Sequence, residues 1–246
     1  PLGNQISSIT NIDIDTHFKQ MFKSSVYFFS LNERTAMSQC DTKTRILDGA
    51  EQMFAREGFH NTSLRALTRL AEVNLASVNY HFGSKKALLK AVIERRLLPL
   101  NAVREEKIGT VLALASQNSR PPTAEALLRA FIEPTLEFRN IGPGAQEFTF
   151  LIGRASSDPD ETIRNCFVEL ILPLFQLLFK GLREALPQLS PEILLARLHF
   201  ILGSMNHVMC MDSHPVSPAS LPASFKSKAL TDQLLKFVLA GLEAPE

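Results

Sequence analysis

Residues 44–92 read TRILDGAEQMFAREGFHNTSLRALTRLAEVNLASVNYHFGSKKALLKAV. Ile46, Leu47, Ala50, Met53 and Phe54 recur at three-to-four spacing, which predicts a helix from about Thr42 to Glu57. Gly58 follows as its stop, because glycine tolerates the left-handed conformation that ends helices. His60-Asn61-Thr62-Ser63 supplies polar capping groups for a second helix, whose apolar face holds Leu64, Leu67, Leu70 and Ala71. A short break at Glu72-Val73-Asn74 leads into a third helix, Leu75–Phe82, with Asn74 placed to cap it. Ser84 caps a long fourth. Two short helices joined by a tight turn and braced by another form a helix-turn-helix, the second of the pair being sized for the major groove. A tri-helical core of unrelated function has the same outline, so the pattern alone leaves the function open.

Outward from this segment the chain remains helical. Pro99 is expected to kink the fourth helix or end its first part, with the pattern resuming to about Ala115. Further helices are expected at Ala124–Arg139, Ala145–Ser156, Asp160–Leu186, Pro191–Met211 and Phe225–Leu242, separated by Pro- and Ser-rich punctuation. The fold class is therefore all-α, with about nine helices and no convincing strand. Residues 38–83 form the expected helix-turn-helix domain and 84–246 a helical effector-binding and dimerisation domain. Residues 1–37 read as a leader or cloning-derived extension. Pro1-Leu2-Gly3 has the look of a cloning scar, and Met37 is the expected start; the alternative is a genuine N-terminal arm.

Composition narrows the function. The net charge is only +1, yet Ser38–Arg96 holds ten Lys/Arg against six Asp/Glu, while Leu97 onward holds thirteen against sixteen. A basic head on a mildly acidic body suits a polyanion-binding segment. Cys40, Cys166 and Cys210 are odd in number and lack metal spacing, so neither a disulfide framework nor a zinc site is expected, and a cytoplasmic location fits. No uninterrupted run of about 18 apolar residues predicts a membrane span. There is no nucleophile elbow, phosphate-cradling glycine loop or metal-spaced His/Cys cluster, so no catalytic residue, metal or cofactor is expected.

The aromatic-glycine helix end (Phe54, Gly58, Phe59), the Thr62-Ser63 entry and the Asn79–Leu88 signature NYHFGSKKAL closely resemble the DNA-binding domain of the TetR/AcrR repressors. The resemblance covers about Thr42–Val92. It implies a homodimer on double-stranded operator DNA, regulated by a small effector. It implies that Ser77 and Asn79 face the groove, that Tyr80, His81 and Lys85 contact the DNA backbone, and that Arg65 faces groove or phosphate. Thr62 and Ser63 have hydroxyls and helix N-terminal amides suited to phosphate. Plainer roles stand beside these. Val78 and Phe82 read as core, Lys86 as a solvated charge, His81 as a structural side chain and Asn74 as a cap. Tyr80 can pack as core with a wet hydroxyl. Glu72 departs from the family pattern, which usually has glycine there, so a non-glycine is expected to adopt a left-handed conformation.

In the body, Leu194, Leu195, Leu198 and Ile201, with Leu230, Leu234, Leu235 and Val238, form stripes on the last two helices. They serve either the family's dimer bundle or the monomer core. Eight phenylalanines, among them Phe131, Phe148 and Phe200, read as cavity lining or as solid core. The sequence around His199 resembles fatty-acid-responsive members of the family. The Phe-rich body suits an apolar effector, with Phe150, Phe175 and Phe179 as candidate lining, and the likeness implies a fatty acid or acyl thioester with Arg154 and His199 as candidate head-group contacts. The competing reading is a helical lipid-binding or interaction module without sequence-specific DNA binding.

Overall fold

The computed structural model describes residues 33–138, 144–156, 158–210 and 228–245. Nine helices occupy the described residues: α1 Glu33–Glu57, α2 Leu64–Leu70, α3 Leu75–Phe82, α4 Lys85–Gln117, α5 Ala124–Phe138, α6 Ala145–Ser156, α7 Glu161–Ala185, α8 Pro191–Cys210 and α9 Lys228–Glu243. No strand occurs among the described residues. The chain divides into two compact units at Asp41–Thr42, and the second holds both the head and the body. The helix expected from Thr42 begins at Glu33 instead. Its added residues contain Glu, Arg, Ala, Met and Gln, with neither glycine nor proline to stop propagation. The proposed leader otherwise lies outside the described residues.

Local chemistry sets the head. Gly58 closes α1 at φ +82°, and Asn74 caps α3 by accepting the Ser77 amide. Ser84 caps α4 by accepting the Ala87 amide at 3.1 Å. Glu72 adopts φ +52°, the left-handed turn expected where the family favours glycine. Ile46, Phe54, Leu67, Val78, Leu88 and Leu89 are buried. A Cβ on Gly49 would lie 3.1 Å from Leu67 Cδ1, so that glycine sets how closely α1 and α2 approach. Leu70 departs from the expected apolar face. It is half exposed, because it ends a seven-residue helix whose buried stripe is Leu67, followed by Ala71.

Helix α4 runs without a break through Pro99, so the proline does not end it. Leu97, Leu100 and Val103 are buried on both sides, and their packing holds the helix where a backbone hydrogen bond is missing. In the body, α4 packs most extensively on α7 and α5. Helix α9 packs on α5 and α8, and α6 on α7 and α8. Leu198 and Leu234 belong to this core. Phe131, Phe138 and Phe148 are buried, but Phe200, expected near a cavity, is 71% exposed. Residues Ile163–Ala185 of α7 are long and apolar enough to cross a membrane. That helix also carries Arg164, Glu169, Lys180 and Arg183, and lays Leu174, Leu178 and Leu182 into the core.

Candidate nucleic-acid interface

The site is built on the N-terminal ends of short helices. Ser63 caps α2 in extended geometry (φ −93°, ψ 131°) with its side chain making no cap hydrogen bond. Its hydroxyl and the first α2 amides are therefore open to a phosphate. Arg65, two residues on, is exposed. Thr62 behaves differently from the expectation. It is buried, and its hydroxyl donates to the Gly58 carbonyl at 2.8 Å, closing the end of α1 rather than facing solvent.

On α3, Val78 points inward while Asn79 and Tyr80 point outward, with Tyr80 75% exposed. An aromatic side chain this exposed on a helix of eight residues is not core. His81 is half-buried and packs edge-on to Tyr80, with ring centroids 5.1 Å apart. Phe82 is half-buried rather than fully core. Ser77 donates its hydroxyl to Asn74 Oδ1 at 2.9 Å, so only its lone pairs remain for a partner. Asn74 is thereby held as a cap.

Lys85 lies apart from these contacts. Its Nζ sits 4.5 Å above the Phe59 ring and 3.4 Å from the His60 carbonyl, and partial burial lowers its pKa. The ammonium is thus anchored on the loop leading to α2. Lys86 is exposed, as a solvated charge should be. Among the described residues no group of His, Cys, Asp and Glu is arranged to hold a metal.

The head is fastened to the body. Glu51 on α1 is buried; it pairs with Arg95, and with Arg96 at 3.2 Å. Arg95 also reaches Asp48 at 2.6 Å. His60 Nε2 lies 3.6 Å from Asp158 and 3.9 Å from Asp160, at the start of α7. Beside that contact is an open cleft of about 410 Å³, lined by Phe54, Phe59, His60, Leu151 and Ile163.

Residues 46–92 match the profile described as "Bacterial regulatory proteins, tetR family", and residues 129–241 match "Tetracyclin repressor-like, C-terminal domain". The chain belongs to the TetR family. Among its relatives, the regulator UidR of Escherichia coli is 38% identical over 52 residues, 21% of this chain and 26% of that protein. SrpR of Pseudomonas putida is 25% identical over 155 residues, 63% of this chain and 66% of that one. The chain therefore spans about a quarter of the UidR relative it matches. A putative transcriptional regulator from Pseudomonas aeruginosa superposes with a TM-score of 0.58 at 19% identity, covering 82% of this chain and 89% of that one. The fatty acid degradation regulator FadR of Bacillus halodurans gives 0.57 at 16% identity, covering 81% and 98%. These structural likenesses carry the TetR fold and no ligand. The named relatives are regulators of transcription rather than enzymes.

Of the effector candidates, Phe175 and Phe179 are half-buried against the body core. His199 is exposed, its ring 6.1 Å from that of Phe175 and its Nδ1 2.8 Å from the Leu195 carbonyl. It therefore does not sit in a buried lining. The side chains of Phe150 and Arg154 lie outside the described residues, so the five are not seen brought together. Another polar cluster is buried where α4, α5 and α7 meet. Arg104 Nε donates to Thr135 Oγ1 at 3.0 Å, and its Nη1 donates to Asn101 Oδ1 at 3.0 Å. Nη2 also donates to Thr135 Oγ1. Asn101 Nδ2 in turn donates to the Leu170 carbonyl at 2.9 Å, and the guanidinium lies 4.7 Å from the Phe131 ring centre. Burial pushes the Arg104 pKa down to about 9, which leaves it charged at neutral pH. The signal for this cluster was present in the sequence. Arg104 falls on the apolar stripe Leu97, Leu100, Ile108, which a solvated arginine would avoid.

Proposed function

We propose that this TetR-family chain is a ligand-responsive transcriptional regulator, acting as a repressor. In this reading it binds a palindromic operator as a homodimer and is released by a small apolar effector. The observation that carries it is α3. Asn79 and Tyr80 stand out from a helix seated by Val78, flanked by the open N-terminus of α2 and by Lys85. A helix so presented fits the major groove, with Asn79 able to pair with a base edge and the flanking groups to hold phosphates. The test is binding to selected versus random duplexes across salt concentrations. Specific binding that weakens steeply with salt supports the reading; equal, weak binding to every duplex favours the lipid-binding module instead.

Lys85→Ala should weaken binding to all duplexes and lower the salt slope by about 1, one phosphate contact's worth. Asn79→Ala should cost about 1–3 kcal/mol on the operator and little on random DNA. Gel-shift titrations on both duplexes separate the two effects. Equal losses for Asn79→Ala on both would remove it from the base-reading set.

Dimerisation through α8 and α9 is supported by large apolar side chains left on the outside of the single chain: Leu195, Phe200 and Phe237. Phe200→Asp should therefore yield a monomer of unchanged helical content. Sedimentation reads the mass and circular dichroism the fold; a variant that stays dimeric would place the interface elsewhere.

For the effector, a fatty acid or acyl thioester is favoured by the apolar body and by half-buried Phe175 and Phe179. One structural neighbour, FadR of Bacillus halodurans, is named a fatty acid degradation regulator. Each buried CH₂ contributes about 0.8 kcal/mol before ordering costs, so affinity should climb with chain length until the site is full. Calorimetric titration with acids of increasing length checks this, and a flat series would count against an alkyl-binding body.

A further inference from the structure

A fully buried guanidinium needs an explanation. Arg104 is 3% exposed, and its partners are two neutral side chains and an aromatic face. Among the described residues no carboxylate forms an ion pair with it. Burying a cation without a counter-ion is costly, which is why such groups are normally paired. The surroundings hold it without neutralising it. Thr135 accepts from Nε and Nη2 while donating to the Phe131 carbonyl at 2.9 Å. Asn101 accepts from Nη1 while donating across to α7. An arginine has five N–H donors. Three are used in these bonds, which leaves one on each terminal nitrogen with no acceptor among the described residues.

We propose that Arg104 is the anion anchor of the effector site, its two open N–H groups receiving the carboxylate of an apolar acid where α4, α5 and α7 meet. The inference rests on the reading that the body takes a ligand and replaces Arg154 and His199 as the head-group contact. Asn101 and Thr135 fix the plane of the guanidinium, so little side-chain entropy remains to be lost on binding. Phe131, across one face, stabilises the cation and starts the apolar wall for an alkyl chain. A carboxylate supplies the missing counter-charge in a setting of low dielectric, where the charge-assisted bonds are strong. A neutral analogue of the same length gains the apolar contacts and not this one. The site therefore discriminates by charge as well as by shape.

The test compares laurate, methyl laurate and dodecanol on the full chain by calorimetry. Wild type should bind laurate about ten- to a hundredfold more tightly than either neutral compound, the range expected for hydrogen bonds to a charged group. Arg104→Met should lose that preference while still binding dodecanol. It should remain folded, because Thr135 and Asn101 keep their bonds to Phe131 and Leu170. Arg104→Lys, which keeps the charge and loses the fork, should fall between. The wild-type comparison needs no variant: equal affinity for laurate and its ester would overturn the anchor, as would wild-type laurate affinity in Arg104→Met. Operator release is read separately. Arg104-dependent laurate binding that frees no DNA leaves the anchor standing and sinks the effector-response reading. Release by dodecanol with no preference for the acid does the reverse.

Discussion

Replacing Glu51 by Gln should destabilise the protein by about 3 kcal/mol, near the lower end for breaking a buried ion pair. The carboxylate is buried between Arg95 and Arg96, which are themselves about a quarter exposed, and that partial hydration moderates the loss. Glutamine keeps the shape and one acceptor but removes the charge that Arg95 and Arg96 share, leaving Arg95 to the exposed Asp48. Gly144, at φ +80°, lays its backbone against the pair. A Cβ there would come within 2.5 Å of Arg96 Nη2 and 2.8 Å of Glu51 Oε1. Denaturant unfolding of Glu51→Gln at unchanged m-value measures the loss. A change under about 1 kcal/mol would mean the cluster behaves as a solvated surface network.

A larger effect is expected at Leu198→Asp. Leu198 is fully buried in the core of the single chain. Truncating such a leucine costs about 2–5 kcal/mol through lost transfer energy and the cavity left behind. The carboxylate adds a desolvation penalty. Together these approach the whole stability of a typical domain, about 5–15 kcal/mol. The variant should lose its helical circular dichroism at room temperature, whereas Phe200→Asp, two residues along, should keep it. Native helicity in Leu198→Asp would return this residue to the dimer face. The sequence stripe admitted both readings, because a helix in a bundle is apolar towards its own core and towards its partner alike.

How legible the rest was depends on the same physics. The helix-turn-helix could be read closely because its signals are local: Gly58, Asn74 and Ser84 each end or start a helix by their own conformational or hydrogen-bonding chemistry. The α6 limits Ala145–Ser156 agree with the pattern. Thr62 was less legible, since its hydroxyl had two possible acceptors, a phosphate outside or the Gly58 carbonyl within, and only the path of the chain decides. The effector site was least legible. Arg104 stands out on its apolar stripe, but nothing in the sequence says that Thr135 of the next helix and Asn101, one turn before it, turn towards it. His199 sits on an apolar stretch, yet its position on the helix turns it outward.

Pro99 has a mechanical consequence. A helix resists bending through its ladder of backbone bonds, and Pro99 removes one rung from α4. The gap falls between Arg96, gripped by the head through Glu51, and Asn101, held by the body through Leu170. The beam that joins reader to sensor is thus most compliant midway between its two clamps. In the proposed ligand response, a twist of α4 at the Arg104 end is expected to bend the helix at that joint and carry α3 with the head-side segment.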